Sequence, residues 1–239
     1  MCVSLLIFGF ILTKVATNAE INAHSKLGSA LFEHYNMGLS PYMGVGVNWT
    51  AEFEEEPRKE QGLRADINIL DIYLLSVVES EGMVNVLVRA DVAWNDHRLV
   101  WSPSSHGGTK WVEVRGDQIW LPSIRATRSG TPLPILTEAT RGKLMHTGRI
   151  QTIFWSYFSF RYPMSYKDFP RDSHTCFVCF EHEYGHLVDH TTTLESVNLW
   201  GAEEWTIQNR FNITRWSNEI CYAIHITRRT VFWDTLVLL

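Results

Sequence analysis

The chain has 239 residues and a net charge of −5, with acidic and basic residues interspersed, enough for one large domain or two small ones. No basic patch points to nucleic acid, and no acidic tail points to a solvating arm. Aromatic residues make up 13%, ten of the residues being Trp, and they need a substantial core to hold them.

Residues 1–19 read as a secretory signal peptide. "VSLLIFGFIL", Val3 to Leu12, has the length of a signal h-region, and the small residues of "ATNA" place cleavage after Ala19. The run is too short for a bilayer, which takes roughly 20 apolar residues. Two sequons, Asn48-Trp49-Thr50 and Asn212-Ile213-Thr214, agree with export and mark Asn48 and Asn212 for glycosylation. The expected location is secreted, or on the extracellular side of the plasma membrane. At the other end, "VFWDTLVLL" is apolar over only nine residues. It is either a terminal strand or the first part of a membrane helix. The expected division is a signal at 1–19, one domain at 20–233 and an apolar tail at 234–239.

The mature chain begins with its one amphipathic helix. In "SKLGSALFEHYNMG", Leu27, Leu31, Phe32 and Tyr35 share a stripe, Ser25 is placed to cap the start and Gly38 to stop it. Beyond it the period becomes two. "INILDIYLL" changes phase between Ile69 and Leu70, which predicts a β-bulge. In "VNVLVRADVAW" every even position from Val84 to Trp94 is apolar, while Asn85, Arg89 and Asp91 occupy odd positions, the mark of a half-buried strand. Turn clusters follow at "SPSSHGG" and "RSGTP". "CFVCF" is apolar on both faces, so it should be buried on both sides. "IQNRFNI" sets Ile207, Phe211 and Ile213 on one face, and "CYAIHITR" sets Tyr222, Ile224 and Ile226 opposite Cys221, Ala223 and His225. Many short strands, one leading helix and no repeats indicate a β-sandwich.

"HEYGHLVDH" spells H-E-x-x-H, the pattern of a zinc peptidase. That chemistry needs a helix, because only the i, i+4 spacing aims both imidazoles at one ion. Here His182 follows a strand pattern and the motif contains Gly185. Matrix-type metalloproteases resemble the stretch, but their third histidine lies six residues beyond the second, whereas His190 lies four beyond His186, and no Met turn follows. A polar loop leaving a strand accounts for the motif better. Cys176-x-x-Cys179 is no better a zinc site, since residues three apart on a strand point to opposite faces. A non-enzyme without metal or cofactor is therefore expected, with a secreted zinc peptidase using the histidines at 182–186 as the alternative.

"YPMSYKDFPRDSHTC" resembles the signature loop of the Cys-loop receptors, the pentameric neurotransmitter-gated channels. Phe169-Pro170-Arg171-Asp172 and Cys176 stand in matching places, but Tyr162 takes the position of the loop's first cysteine, so the bridge that names the family cannot form. "LFEHYN", "WNDHRLVWSP" (Trp94 to Pro103), "IWLPSI" (with Ser123 for an aspartate) and "ITRRTVFW" resemble further family segments in the family's order, over Ala23 to Trp233.

The resemblance implies a ten-stranded immunoglobulin-like β-sandwich with an N-terminal α-helix. It also implies a rim-to-rim homo- or hetero-pentamer and a small-molecule ligand held between subunits. The acetylcholine-binding proteins are the soluble form of this fold. Carried over by spacing, the ligand positions are Thr127, Glu183 with Tyr184 beside it, Trp216 and Tyr222 on one face. The complementary face offers Arg89, Gln151 and Ile153. Few of these are the aromatic rings that attract a cation through their π faces. Two versions of the function remain open: a subunit or binding protein with an altered ligand, in which Glu183 and Arg89 suit an amino acid, and a structural partner of receptor subunits that binds no transmitter.

Three further implications concern structure. Phe169, Pro170 and Asp172 should meet Arg228 near the base of the sandwich, where a charge is tolerated only if paired. Arg89, on the polar face of its strand, should lie at a subunit interface. Finally, the family's register sets Cys179 opposite Glu219, with Cys221 as its diagonal neighbour. That pairing suggests a Cys179–Cys221 bridge with Cys176 free and buried; the alternative is three reduced thiols packed as small apolar residues.

Overall fold

The computed structural model describes residues 26–41, 64–129, 134–183, 185–192, 195–198, 204–216 and 219–230. The signal peptide at 1–19, Asn48, Tyr184 and the tail at 234–239 lie outside the described residues. The strands in chain order are β1 (Arg64–Val78), β2 (Met83–Val100), β3 (Trp111–Arg115), β4 (Ile124–Thr127), β5 (Arg141–Met145), β6 (Thr147–Arg161), β7 (Ser173–His182), β8 (His186–Asp189), β9 (Glu195–Asn198), β10 (Trp205–Trp216) and β11 (Glu219–Arg228).

They form two sheets. One runs β3-β5-β6-β2-β1-β8, with β9 also on β1; the other runs β10-β11-β7-β4. The alternation in β2 builds the core between them: Val84, Val86, Val88, Ala90, Val92 and Trp94 are all at most 1% exposed. Burying a side chain of this size contributes about 1.5–3 kcal/mol. From the facing sheet come Val178, Phe180, Tyr222, Ile224 and Ile226, so both faces of the core are apolar. The expected phase change in β1 is a register shift between Ile69 and Asp71 against β2. A second shift, between Gln208 and Phe211, lets Ile207, Phe211 and Ile213 all align with core-facing residues of β11.

The N-terminal helix occupies residues 26–32, with Leu27 buried and Leu31, Phe32 and Tyr35 packed against the core. It ends well before Gly38, and the reason is tertiary. Tyr35 donates its hydroxyl to Asp96 at 2.7 Å and accepts the Trp120 amide at 2.8 Å. Arg98 grips Asp96 and donates to the carbonyls of Asn36 and Leu39. These bonds draw the chain away from the helix axis after Phe32.

Eleven strands stand among the described residues where ten were expected. The polar stretch after β7, read above as a loop, holds β8, and β9 follows it. Both run parallel to β1, pairing Arg64 with His186 and Asp71 with Glu195. Between them the Ile69 amide donates to Thr191 Oγ1 at 2.9 Å, so β1 keeps a partner across the gap. The two histidines of H-E-x-x-H thus fall in different sheets, buried His182 at the end of β7 and exposed His186 at the start of β8.

Candidate functional site

The first set of expected ligand residues gathers where β4, β7, β10 and β11 lie side by side. Thr127, Cys179, Cys221 and Thr214 are successive register partners across the four strands. Cys179 and Cys221 are disulfide-bonded, with Cα atoms 4.0 Å apart. The register implied by the resemblance needs correcting: Cys221 lies directly opposite Cys179, and Glu181 is the residue opposite Glu219. The strands are displaced by two residues from that expectation, which preserves every side chain's face. Cys176, on the inward face, is a buried free thiol whose pKa burial pushes up to about 12.

The charged groups on this edge are bound to one another. Thr127 donates its hydroxyl to Glu219 Oε1, and Arg128 reaches Glu219 Oε2 at 3.2 Å. Arg125 stands between Glu181 at 2.5 Å and Glu183 at 3.4 Å, while Ser123 donates to Glu183 Oε2 at 2.7 Å. Tyr222 belongs to the interior, fully buried, with its hydroxyl donating to Asp189 Oδ1 at 2.6 Å. Burial and that carboxylate both raise its pKa. Trp216 ends β10 in register with Glu219.

The second set lies on the outer face of the other sheet. Register aligns Asp71, Arg89 and Trp155 across β1, β2 and β6, and Tyr73, Leu87 and Tyr157 in the next row. Arg89 pairs with buried Asp71 and lies 5.3 Å from the Trp155 ring centre. Tyr73 stacks on Trp155 as well, with ring centres 5.8 Å apart. Gln151 donates to Asp91 Oδ2 at 2.6 Å. Ile153, Trp155 and Tyr157 are each more than half exposed, an apolar stripe on an outer face. Beside it Gln151 and Ile153 join Trp111, Glu113, Arg141 and Lys143 around a cleft of about 440 Å³. Lys143 sits 4.7 Å over the Trp111 ring there.

Thus Thr127 and Glu183 lie on one edge, while Arg89, Gln151 and Ile153 lie on another sheet. Sequence reasoning missed Trp155, Tyr73 and Tyr157, although "IQTIFWSYFSF" carries large apolar residues on both faces of one strand.

A third group holds the base. Arg228 donates to Asp172 and to Glu79, at 2.6–3.2 Å, and lies 4.3 Å from the Trp205 ring centre and 5.0 Å from that of Phe169. The Phe169-Pro170 bond beside it is cis. Tyr162, where the loop's first cysteine would stand, packs edge-on against His174 at 5.8 Å. Asn212 is exposed on β10, the outermost strand of its sheet. Of metal-type donors, Cys179, Glu219 and Cys221 converge among the described residues, and two of their three ligand atoms are the sulfurs of the bridge.

The chain matches the family model described as neurotransmitter-gated ion-channel ligand binding domain over residues 50–230. It is 22% identical to the neuronal acetylcholine receptor subunit alpha-4 of Homo sapiens over 245 residues, covering 96% of this chain and 37% of that protein. To the human alpha-3 subunit it is 26% identical over 208 residues, 85% of this chain and 38% of that one. The acetylcholine receptor subunit alpha-L1 of Schistocerca gregaria is 31% identical over 87 residues, 36% of this chain and 16% of its own length. The chain spans less than two fifths of the length of these relatives.

Proposed function

This chain belongs to the family of neurotransmitter-gated ion-channel ligand-binding domains, and from that premise we propose that it packs side by side with related subunits, as a pentamer, and meets a small-molecule ligand at the seam between them. The carrying observation is the outer face of β2 and β6. Ile153, Trp155 and Tyr157 stand exposed in a row, with Arg89 lying against Trp155. An apolar stripe with a planar guanidinium on it is the composition of an interface centre, where aromatic residues and Arg are enriched. The Asp71 carboxylate, buried beneath, keeps Arg89 aimed along the face.

A ligand at that seam would meet Arg89, Gln151 and Ile153 from this chain and groups such as Thr127 and Glu183 from a neighbour. Few rings line these positions, so the ligand is unlike a quaternary amine held in an aromatic box. A group that accepts hydrogen bonds at one end and donates them at the other suits the Arg89 and Glu183 pair. The assembly would stand on the extracellular side of the membrane. No helix among the described residues is long and apolar enough to cross one. The relatives' names speak of acetylcholine receptors, and their subunit nature supports assembly with related chains.

Light scattering on the secreted chain tests the reading. The expected mass is five glycosylated subunits, reduced to one by Trp155→Asp. A wild-type chain that stays monomeric at about 50 µM, where a standard-size interface should hold, would overturn it.

A further inference from the structure

The β10–β11 hairpin ends in register at Trp216 and Glu219, with only residues 217 and 218 between the strands. Cys221 therefore fixes the hairpin to β7 two residues from its end. Glu219 fixes it again. Its carboxylate takes Thr127 on one oxygen and Arg128 on the other, both from β4 or just beyond it. One covalent bond and two polar contacts thus tie the start of β11 to its neighbour β7 and, beyond that, to β4 and Arg128. The sulfurs are fully buried and Glu219 is largely so.

The contacts also occupy the groups a ligand would use. Thr127 is engaged by Glu219, Glu183 by Ser123 and Arg125, and Tyr222 is inside the core. We infer that the start of β11, held down by the Cys179–Cys221 bridge and Glu219, is a fixed latch that closes this edge of the sandwich to a small-molecule ligand. Arg89, Gln151 and Ile153, on the other sheet, are untouched by these contacts. The inference rests on the proposed ligand positions, but the latch is a property of the single chain.

Hydrogen exchange followed by mass spectrometry on the secreted chain reads the latch directly. Amides of Glu219 to Tyr222 should exchange at least about tenfold more slowly in the wild type than in the Cys179→Ala/Cys221→Ala variant, because local opening sets their rate. Amides of Val84 to Val92 should not change. Equal rates at the start of β11, or wild-type amides there exchanging within seconds, overturn the inference. If the double variant is not secreted, Thr127→Val keeps the bridge and removes one partner of Glu219. Faster exchange of the same amides is expected there too, and an unchanged rate counts against the latch. A monomeric wild type leaves the exchange experiment fully readable, so failure of assembly and failure of the latch are separate results.

Discussion

Arg228 and Asp172 meet through two hydrogen bonds, Nε to Oδ1 at 2.7 Å and Nη2 to Oδ2 at 3.2 Å, with both side chains at most 2% exposed. Glu79 completes the cage from the turn between β1 and β2, and Trp205 and Phe169 lie against the guanidinium. The contact ties the loop before β7 to the end of β11.

Arg228→Ala should destabilise the domain by about 3–5 kcal/mol, the cost of breaking a buried pair from one side. Asp172 and Glu79 would both lose their cation. Thermal melts and secretion yield check this, and an unchanged melting temperature means the pair is dispensable.

Acid should attack the same place. Burial pushes the Asp172 carboxyl up, but hydrogen bonds from Arg228 and with His174 outweigh it and hold the group below its ordinary range. A carboxylate depressed in the fold contributes stability that is present above its unfolded pKa of about 4 and is lost as pH falls through the folded value. Urea melts from pH 7 to pH 2 should therefore show a steep loss below about pH 4. That limb should be shallower in Asp172→Asn, which should also be less stable than wild type at neutral pH.

Arg89→Glu should act on assembly and stability together. The new carboxylate would face the buried Asp71, and the stacking on Trp155 would go. Loss of the oligomer by light scattering is expected, with a stability cost of roughly 1–3 kcal/mol, since one partner is buried and the other half-exposed. A variant that assembles normally removes Arg89 from the interface.

Peptide mapping without reductant should recover Cys179 linked to Cys221. Cys176 should alkylate only after denaturation, because its thiol is buried and its pKa is raised to about 12. The two linked residues are separated by 42 positions. The double Cys→Ala variant should lose at most roughly 4 kcal/mol, the loop-closure figure for a loop of that size. A Cys176–Cys221 linkage would contradict the strand register.

Tyr35→Phe should cost about 1–2 kcal/mol by leaving the Trp120 amide and the buried Asp96 short of a partner. Chemical denaturation measures it, and a neutral result would mean that water replaces the hydroxyl.

Alternation in "VNVLVRADVAW" was sufficient to assign the buried and open faces of β2, Arg89 among the open positions, because a strand's side chains alternate with period two. The phase break at Ile69 announced the bulge in β1, because an extra residue reverses the alternation. The contact of Asp172 with Arg228 leaves no such periodic mark and is expected only from the family resemblance. Pattern could not choose partners. A two-residue slip between β7 and β11 leaves every residue on its own face, so the sequence reads the same whether Cys221 lies beside Cys179 or diagonal to it. The parallel strands β8 and β9 were hidden for a related reason: short polar strands draw their order from the backbone of β1, not from side chains that alternate. The resemblance makes Tyr222 a ligand position by spacing, although alternation sets it on one face with Ile224 and Ile226. The fold buries it with them and gives its hydroxyl Asp189 and Thr191 as partners. Which face a residue takes is local and periodic; which residue it meets across the sheet is a long-range choice made by the whole fold.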